Sequence, residues 1–270
     1  MTPIGSIVRD GARLRVDDTG GEGVPVMFQH GLCGDAGQPA ELFPEDARLR
    51  RITLECRGHG ASEAGDTDRF GIATFARDVA AVADMTQSLP LVVGGVSMGA
   101  AIALRLAVKR PDLVCGLILV RPAWVTDAAP ANMAPNAEVG RLLAALAGDE
   151  ARKIFLAGET AKRLAAEAPD NLASLAGFFD RPNRAVTAAL LQRISADGPG
   201  VSEDDLRALR VPTLVIGHGQ DFVHPLAHAE RLAALVPGSR LVRVTPKAEN
   251  RARHVADVRD ALQNFLKELQ

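Results

Sequence analysis

The sequence predicts an α/β fold: a mostly parallel sheet with helices on both faces and a helical insertion. Three observations carry this. Short apolar runs rich in β-branched residues recur along the chain, bounded by Gly or Pro. Helical patterns lie between them. The runs are apolar throughout rather than alternating, as in parallel strands buried on both faces.

The elements follow in order. Ile4–Arg9 and Arg13–Asp17 flank Asp10-Gly11, a strong hairpin signal. The buried strands are expected at Val24–Phe28, Ile52–Cys56, Leu91–Val93, Val114–Val120, Thr213–Ile216 and Leu241–Val244. Helices are expected at Ile72–Gln87, Met98–Lys109, Pro225–Leu235 and His254–Leu269. The rhythm breaks from Pro122 to Leu209, where no strand pattern occurs. Ala/Leu/Arg helices run there at Glu138–Ala147, Ala151–Leu156, Ala161–Ala166 and Arg184–Ile194, and Ser202 reads as an N-cap. This divides the chain into a core, residues 1–121 and 210–270, and a helical cap, residues 122–209.

Composition narrows the function. The chain has 270 residues, 47% hydrophobic and 24% charged, with a formal net charge of −2. That is ordinary for a globular protein large enough to bury a core without staples. There is no basic excess to draw nucleic acid. No apolar run reaches membrane-spanning length and no signal-peptide pattern opens the chain, so a cytoplasmic protein is expected. Cys33, Cys56 and Cys115 fit no zinc spacing and read as reduced thiols.

The chemistry centres on Gly95-Val-Ser97-Met-Gly99. A G-x-S-x-G pentapeptide arises by chance in roughly one chain of this length in ten, so its setting decides. Here it joins a buried strand to a long Ala-rich helix, the strand–turn–helix context of a nucleophile elbow. Ser97 is the expected nucleophile. The acid and base should follow in the order Asp/Glu, then His. Asp221 follows the strand Thr213–Ile216. His254 follows the last strand, and is taken as the base with Asp221 as its partner. No carboxylate follows Val114–Val120 until Asp127. Two backbone N–H donors for a developing oxyanion are expected at Met98, after the nucleophile, and at Leu32, in the loop after Val24–Phe28. His30, Cys33, Trp124 and Phe222 are candidate pocket residues. His218, Asp221, His224 and His228 are dense, but His224 precedes the expected helix start and no H-E-x-x-H pattern is present, so no metal site is expected. Arg251 and Arg253 read as a solvated loop.

Together, His30-Gly31, Arg57-Gly-His59-Gly60-Ala-Ser62, the Ser97 elbow, Gly217…Asp221 and the late His254 resemble the α/β-hydrolase superfamily, and its enol-lactone hydrolase, small esterase and perhydrolase branch. The resemblance spans about Gly5 to Phe265. It implies an eight-stranded sheet, a cap over the pocket, no metal or organic cofactor, and a small ester or lactone as substrate. Acyl transfer or perhydrolysis would use the same triad, and a ligand receptor with little turnover would use the same scaffold. Glu55 stands where this branch usually carries Asp, Arg253 stands where Gly is common before the base, and the chain has no tyrosine.

Overall fold

The computed structural model describes residues 5–86 and 89–269. The expected element ends at Ile4 and Gln87 lie outside them. Eight strands form one sheet in the order β1-β2-β4-β3-β5-β6-β7-β8. They are β1 (Ser6–Arg9), β2 (Ala12–Asp18), β3 (Val24–Gln29), β4 (Leu49–Leu54), β5 (Leu91–Val96), β6 (Val114–Val120), β7 (Thr213–Gly217) and β8 (Arg240–Arg243). The hairpin β1–β2 joins β4 antiparallel, and the pairings from β4 through β8 are all parallel.

Helices cover both faces, and the period-2 alternation of the strands sorts their side chains between them. Leu91 and Val93 of β5 enter one core, with Phe75 among its members; Val92 and Val96 enter the other with Phe28. The helices are α1 (Gly37–Leu42), α2 (Ile72–Met85) and α3 (Met98–Lys109). Then come α4 (Ala134–Ala145), α5 (Gly148–Ala157), α6 (Glu159–Glu167), α7 (Pro169–Gly177), α8 (Arg184–Ser195) and α9 (Glu203–Ala208), followed by α10 (Leu226–Leu235) and α11 (Arg251–Glu268). The stretch between β6 and β7 therefore holds six α-helices, two short 3-10 turns and no strand. α9 opens on a full capping box: Ser202 Oγ accepts from Asp205 N at 3.1 Å, and Asp205 Oδ2 accepts from Ser202 N at 2.8 Å.

Sequence patterning missed α1 and α7. Both are short and carry Pro and Gly, which blur the 3.6-residue period. The residues that resembled a family signature around Arg57 serve the scaffold. Arg57 and Asp78 are buried and paired, Nε to Oδ2 at 2.7 Å and Nη2 to Oδ1 at 3.1 Å. Glu55, buried, accepts from the backbone of Ala61 at 2.7 Å and of Ala36 at 3.2 Å. No helix among the described residues is long and apolar enough to cross a membrane.

A buried ion pair is costly to break and cheap to replace whole. Asp78→Ala should destabilise the protein by about 3 kcal/mol, measured by urea unfolding, because it leaves the buried Arg57 charge only the half-exposed Asp10, 2.7 Å from Nη2, as a partner. The double variant Arg57→Met/Asp78→Leu should recover most of that loss.

Candidate active site

β5 ends at Val96 and α3 begins at Met98, so Ser97 alone makes the turn, at φ 56° and ψ −111°. A non-glycine residue there is strained. Its neighbours must be bare. A Cβ on Gly95 would lie 2.6 Å from the carbonyl carbon of Gly99 and 2.7 Å from Gln29 O, and one on Gly99 would meet the Gln29 and His30 backbone. The turn is held by Ser97 N donating to Val120 O at 3.0 Å. It raises the hydroxyl over the end of the sheet, beside a helix N-terminus.

Ser97 Oγ lies 2.8 Å from Nε2 of His224. His224 Nδ1 is 3.0 Å from Asp221 Oδ1 and 3.1 Å from Oδ2, and Asp221 Oδ1 also accepts from His224 N at 3.0 Å. The imidazole that meets Ser97 thus comes from the loop that also carries Asp221, between β7 and α10, and is not that of His254. His254 makes no hydrogen bond to Ser97 or Asp221 among the described residues. Its Nδ1 donates to Thr245 O at 2.9 Å, and its ring packs edge-on against His218 with centroids 5.1 Å apart. His254 fastens the first turn of α11 to the segment after β8, and from that segment Lys247 is what reaches the cavity.

Nδ1 of His224 also lies 3.3 Å from Arg121 Nη2. It cannot both donate to Asp221 and accept from Arg121. The shorter contacts to a carboxylate assign Nδ1–H to Asp221, which leaves the Nε2 lone pair for the Ser97 hydroxyl. Arg121 instead serves Asp221, with Nη2 2.7 Å and Nε 2.8 Å from Oδ2. Its own backbone is left-handed, at φ 46°. Burial alone would push the Asp221 carboxyl up. The charges of His224 and Arg121 and the His224 hydrogen bond outweigh it, and hold the carboxyl well below its usual range. Burial, chiefly, and then Arg121 lower the pKa of His224 from 6.5, against the pull of Asp221. His218 Nε2 sits 3.5 Å from Asp221, but burial and Arg121 drop its pKa to about 4, so the contact is no ion pair at neutral pH.

A cavity of about 340 Å³ opens over Ser97 and His224. Leu32 and Cys33 line it; Met98 is the first residue of α3, where a helix N–H has no intrahelical acceptor. The Cys33 thiol is pushed up to about 12 by burial, which rules it out as a thiolate nucleophile at neutral pH. Three expected pocket residues lie elsewhere. His30 is fully buried and bridges backbone, Nδ1 donating to Gly31 O at 2.8 Å and Nε2 accepting from Cys56 N at 3.0 Å. Trp124 is buried and donates from Nε1 to Asp197 O at 2.9 Å, tying the exit of β6 to the end of the helical stretch. Phe222 turns to a second cavity, with Arg163 4.7 Å from its ring centroid. Residues that sequence reading missed take their place: Asn136, Asn171, Arg181 and Lys247. Asn171 Oδ1 accepts from Phe222 N and Val223 N at 2.7 and 3.0 Å, and Asn132 Nδ2 donates to Val223 O at 2.7 Å, so the helical stretch grips the loop that carries His224. Among the described residues no group of three or more His, Cys, Asp or Glu is arranged to hold a metal.

The family model described as alpha/beta hydrolase fold matches residues 24–250. The chain belongs to the α/β-hydrolase fold family. This α/β hydrolase is 30% identical over 220 residues to RutD of Rhizobium rhizogenes, named provisionally as a carbamate hydrolase, covering 77% of this chain and 79% of that one. It is 28% identical over 249 residues to the 2-hydroxymuconate semialdehyde hydrolase of Pseudomonas putida, covering 87% and 83%. Among solved structures, the enol-lactonase of Burkholderia xenovorans superposes with a TM-score of 0.68 at 21% identity, over 98% of both chains. At that identity the likeness concerns the fold.

The Arg121 charge disfavours a protonated His224, so Arg121→Gln should raise the titration midpoint of His224, and Asp221→Asn should lower it further. NMR of the imidazole protons, assigned with a His224→Ala reference, reads both shifts.

Proposed function

We propose that this protein is a serine hydrolase that cleaves a small carboxylic ester or lactone through an acyl-enzyme, with Ser97 as nucleophile, His224 as base and Asp221 as the base's partner. The observation that carries this is the unbroken hydrogen-bonded line from Ser97 Oγ through both ring nitrogens of His224 to Asp221.

Ser97 Oγ attacks the carbonyl carbon as its proton passes to His224 Nε2. The oxyanion that forms is met by the N–H groups of Met98 and Leu32. Collapse expels the alkoxide, which takes the proton from His224. Water then attacks the acyl-enzyme by the same route and releases the carboxylic acid. From a lactone the alcohol stays tethered and the product is a hydroxy acid. Asp221 orients the ring and stabilises the imidazolium. A cavity of about 340 Å³ is at the small end for ligand pockets. Residues 122–209 act as the cap that shapes it, since Met133, Asn136, Asn171, Ser174, Leu175 and Arg181 all belong to its wall.

The same chemistry reaches carbamates, and the relationship to RutD places carbamate esters on the substrate panel beside p-nitrophenyl esters and lactones.

A fluorophosphonate should label the protein, and Ser97→Ala should abolish both labelling and turnover. His224→Ala should lower kcat by roughly 10³-fold or more, as loss of a triad member does in comparable enzymes. His254→Ala should stay within several-fold of the parent. Full activity in His224→Ala with collapse in His254→Ala would overturn the assignment of the base. Because His224 must be neutral to accept a proton and its pKa lies below 6.5, the acid limb of kcat/KM should fall below pH 6.5.

A further inference from the structure

The wall of the Ser97 cavity carries three cationic side chains, Arg121, Arg181 and Lys247, and no aspartate or glutamate. The chain as a whole is slightly acidic, at −2, so this is local. Two of the three are already paired. Arg121 lies 2.7 Å from Asp221, and Lys247 Nζ lies 2.9 Å from Asp170, which stands behind the wall. Arg181 is different. One of its donors, on Nη1, goes to Cys33 O at 2.5 Å, and among the described residues no carboxylate lies within 4 Å of it. A guanidinium has five N–H donors in a planar fork that matches a carboxylate. The remaining donors of Arg181 are uncommitted, in a partly sheltered cavity where a charge-assisted pair is stronger than in water.

A second feature marks the cavity as built for a polar ligand. Asn136, 5% exposed on α4, lines it with a buried Oδ1 that has no hydrogen-bond partner among the described residues; as an acceptor it calls for a donor elsewhere on the ligand and not for the carboxylate. Buried polar atoms are rarely left so unless something else completes them.

We propose that the cavity recognises an anionic substrate, an ester or lactone bearing a free carboxylate, with Arg181 as the residue that receives that carboxylate. This rests on the reading of Ser97 as the nucleophile. Arg181 enters from the link between α7 and α8 of the helical stretch, while Ser97 and His224 are held by the sheet. Charge recognition and bond cleavage therefore fall to different layers of the molecule.

The test compares acidic and neutral ester twins: mono-p-nitrophenyl glutarate against p-nitrophenyl butyrate for a carboxylate on the acyl side, and 4-acetoxybenzoate against phenyl acetate for one on the leaving side. At least one acidic ester should exceed its twin in kcat/KM by tenfold or more, and less so at high salt. Arg181→Gln keeps a hydrogen-bond donor for Cys33 O and removes the charge. In it the acidic-to-neutral ratio should drop toward one, with Arg181→Lys in between, while circular dichroism reports an intact fold. No acidic preference in either pair, or a preference that survives in Arg181→Gln, overturns the proposal. Calorimetry with glutarate on Ser97→Ala separates this from the chemistry. Binding that disappears when Arg181→Gln is added supports the subsite whether or not Ser97 is the nucleophile; no binding, or binding unchanged, counts against it. Failure of fluorophosphonate labelling would count only against the nucleophile.

Discussion

The site is organised around one buried carboxylate. A desolvated Asp221 is tolerable only if donors surround it, and it has three: the His224 ring, the His224 backbone N–H and the Arg121 guanidinium. Each of these demands something of the chain. The His224 backbone contact closes the loop over three residues. The Arg121 contact draws the end of β6 into a left-handed turn. With those satisfied, the imidazole has one free nitrogen, and it faces Ser97.

An imidazole and its carboxylate on one loop make a local device. Their relative geometry depends on the turn after β7 rather than on the meeting of two distant loops. Ser97 is set with equal narrowness by a different cause, the close approach of the Gly95 and Gly99 backbone to the strand β3. Two short stretches, each determined by steric and electrostatic necessity, then need only be placed by the sheet.

Most of the sheet was legible in the sequence because parallel strands buried on both faces leave apolar runs that little else produces; Val114–Val120 coincides with β6. The elbow was legible because its glycines have a steric cause. The base was not. His224 and His254 both satisfy the order Ser, Asp, His, and chain order does not say which loop reaches the nucleophile. The strand order does. β7 lies two strands from β5, roughly 10 Å, and β8 three strands, roughly 14 Å. The loop after β7 has the shorter reach. The legible signal was Asp221-Phe-Val-His224 itself, a carboxylate and an imidazole three residues apart on one loop. The pocket residues failed for another reason. Loop side chains follow no period, so the neighbours of a site residue in sequence, Phe222 or His30, can point away from it.

The two asparagines that hold the His224 loop bear on how such an enzyme can change. Asn132 and Asn171 come from the helical stretch between β6 and β7, and they bond the backbone of residues 222 and 223. That stretch is therefore a splint for the loop. A graft that brought different helices would have to bring two amide side chains to the same places, or leave the loop that carries the imidazole unbraced. Divergence in this protein is therefore easier by point change along the wall, at residues that support nothing else, than by exchange of the whole segment.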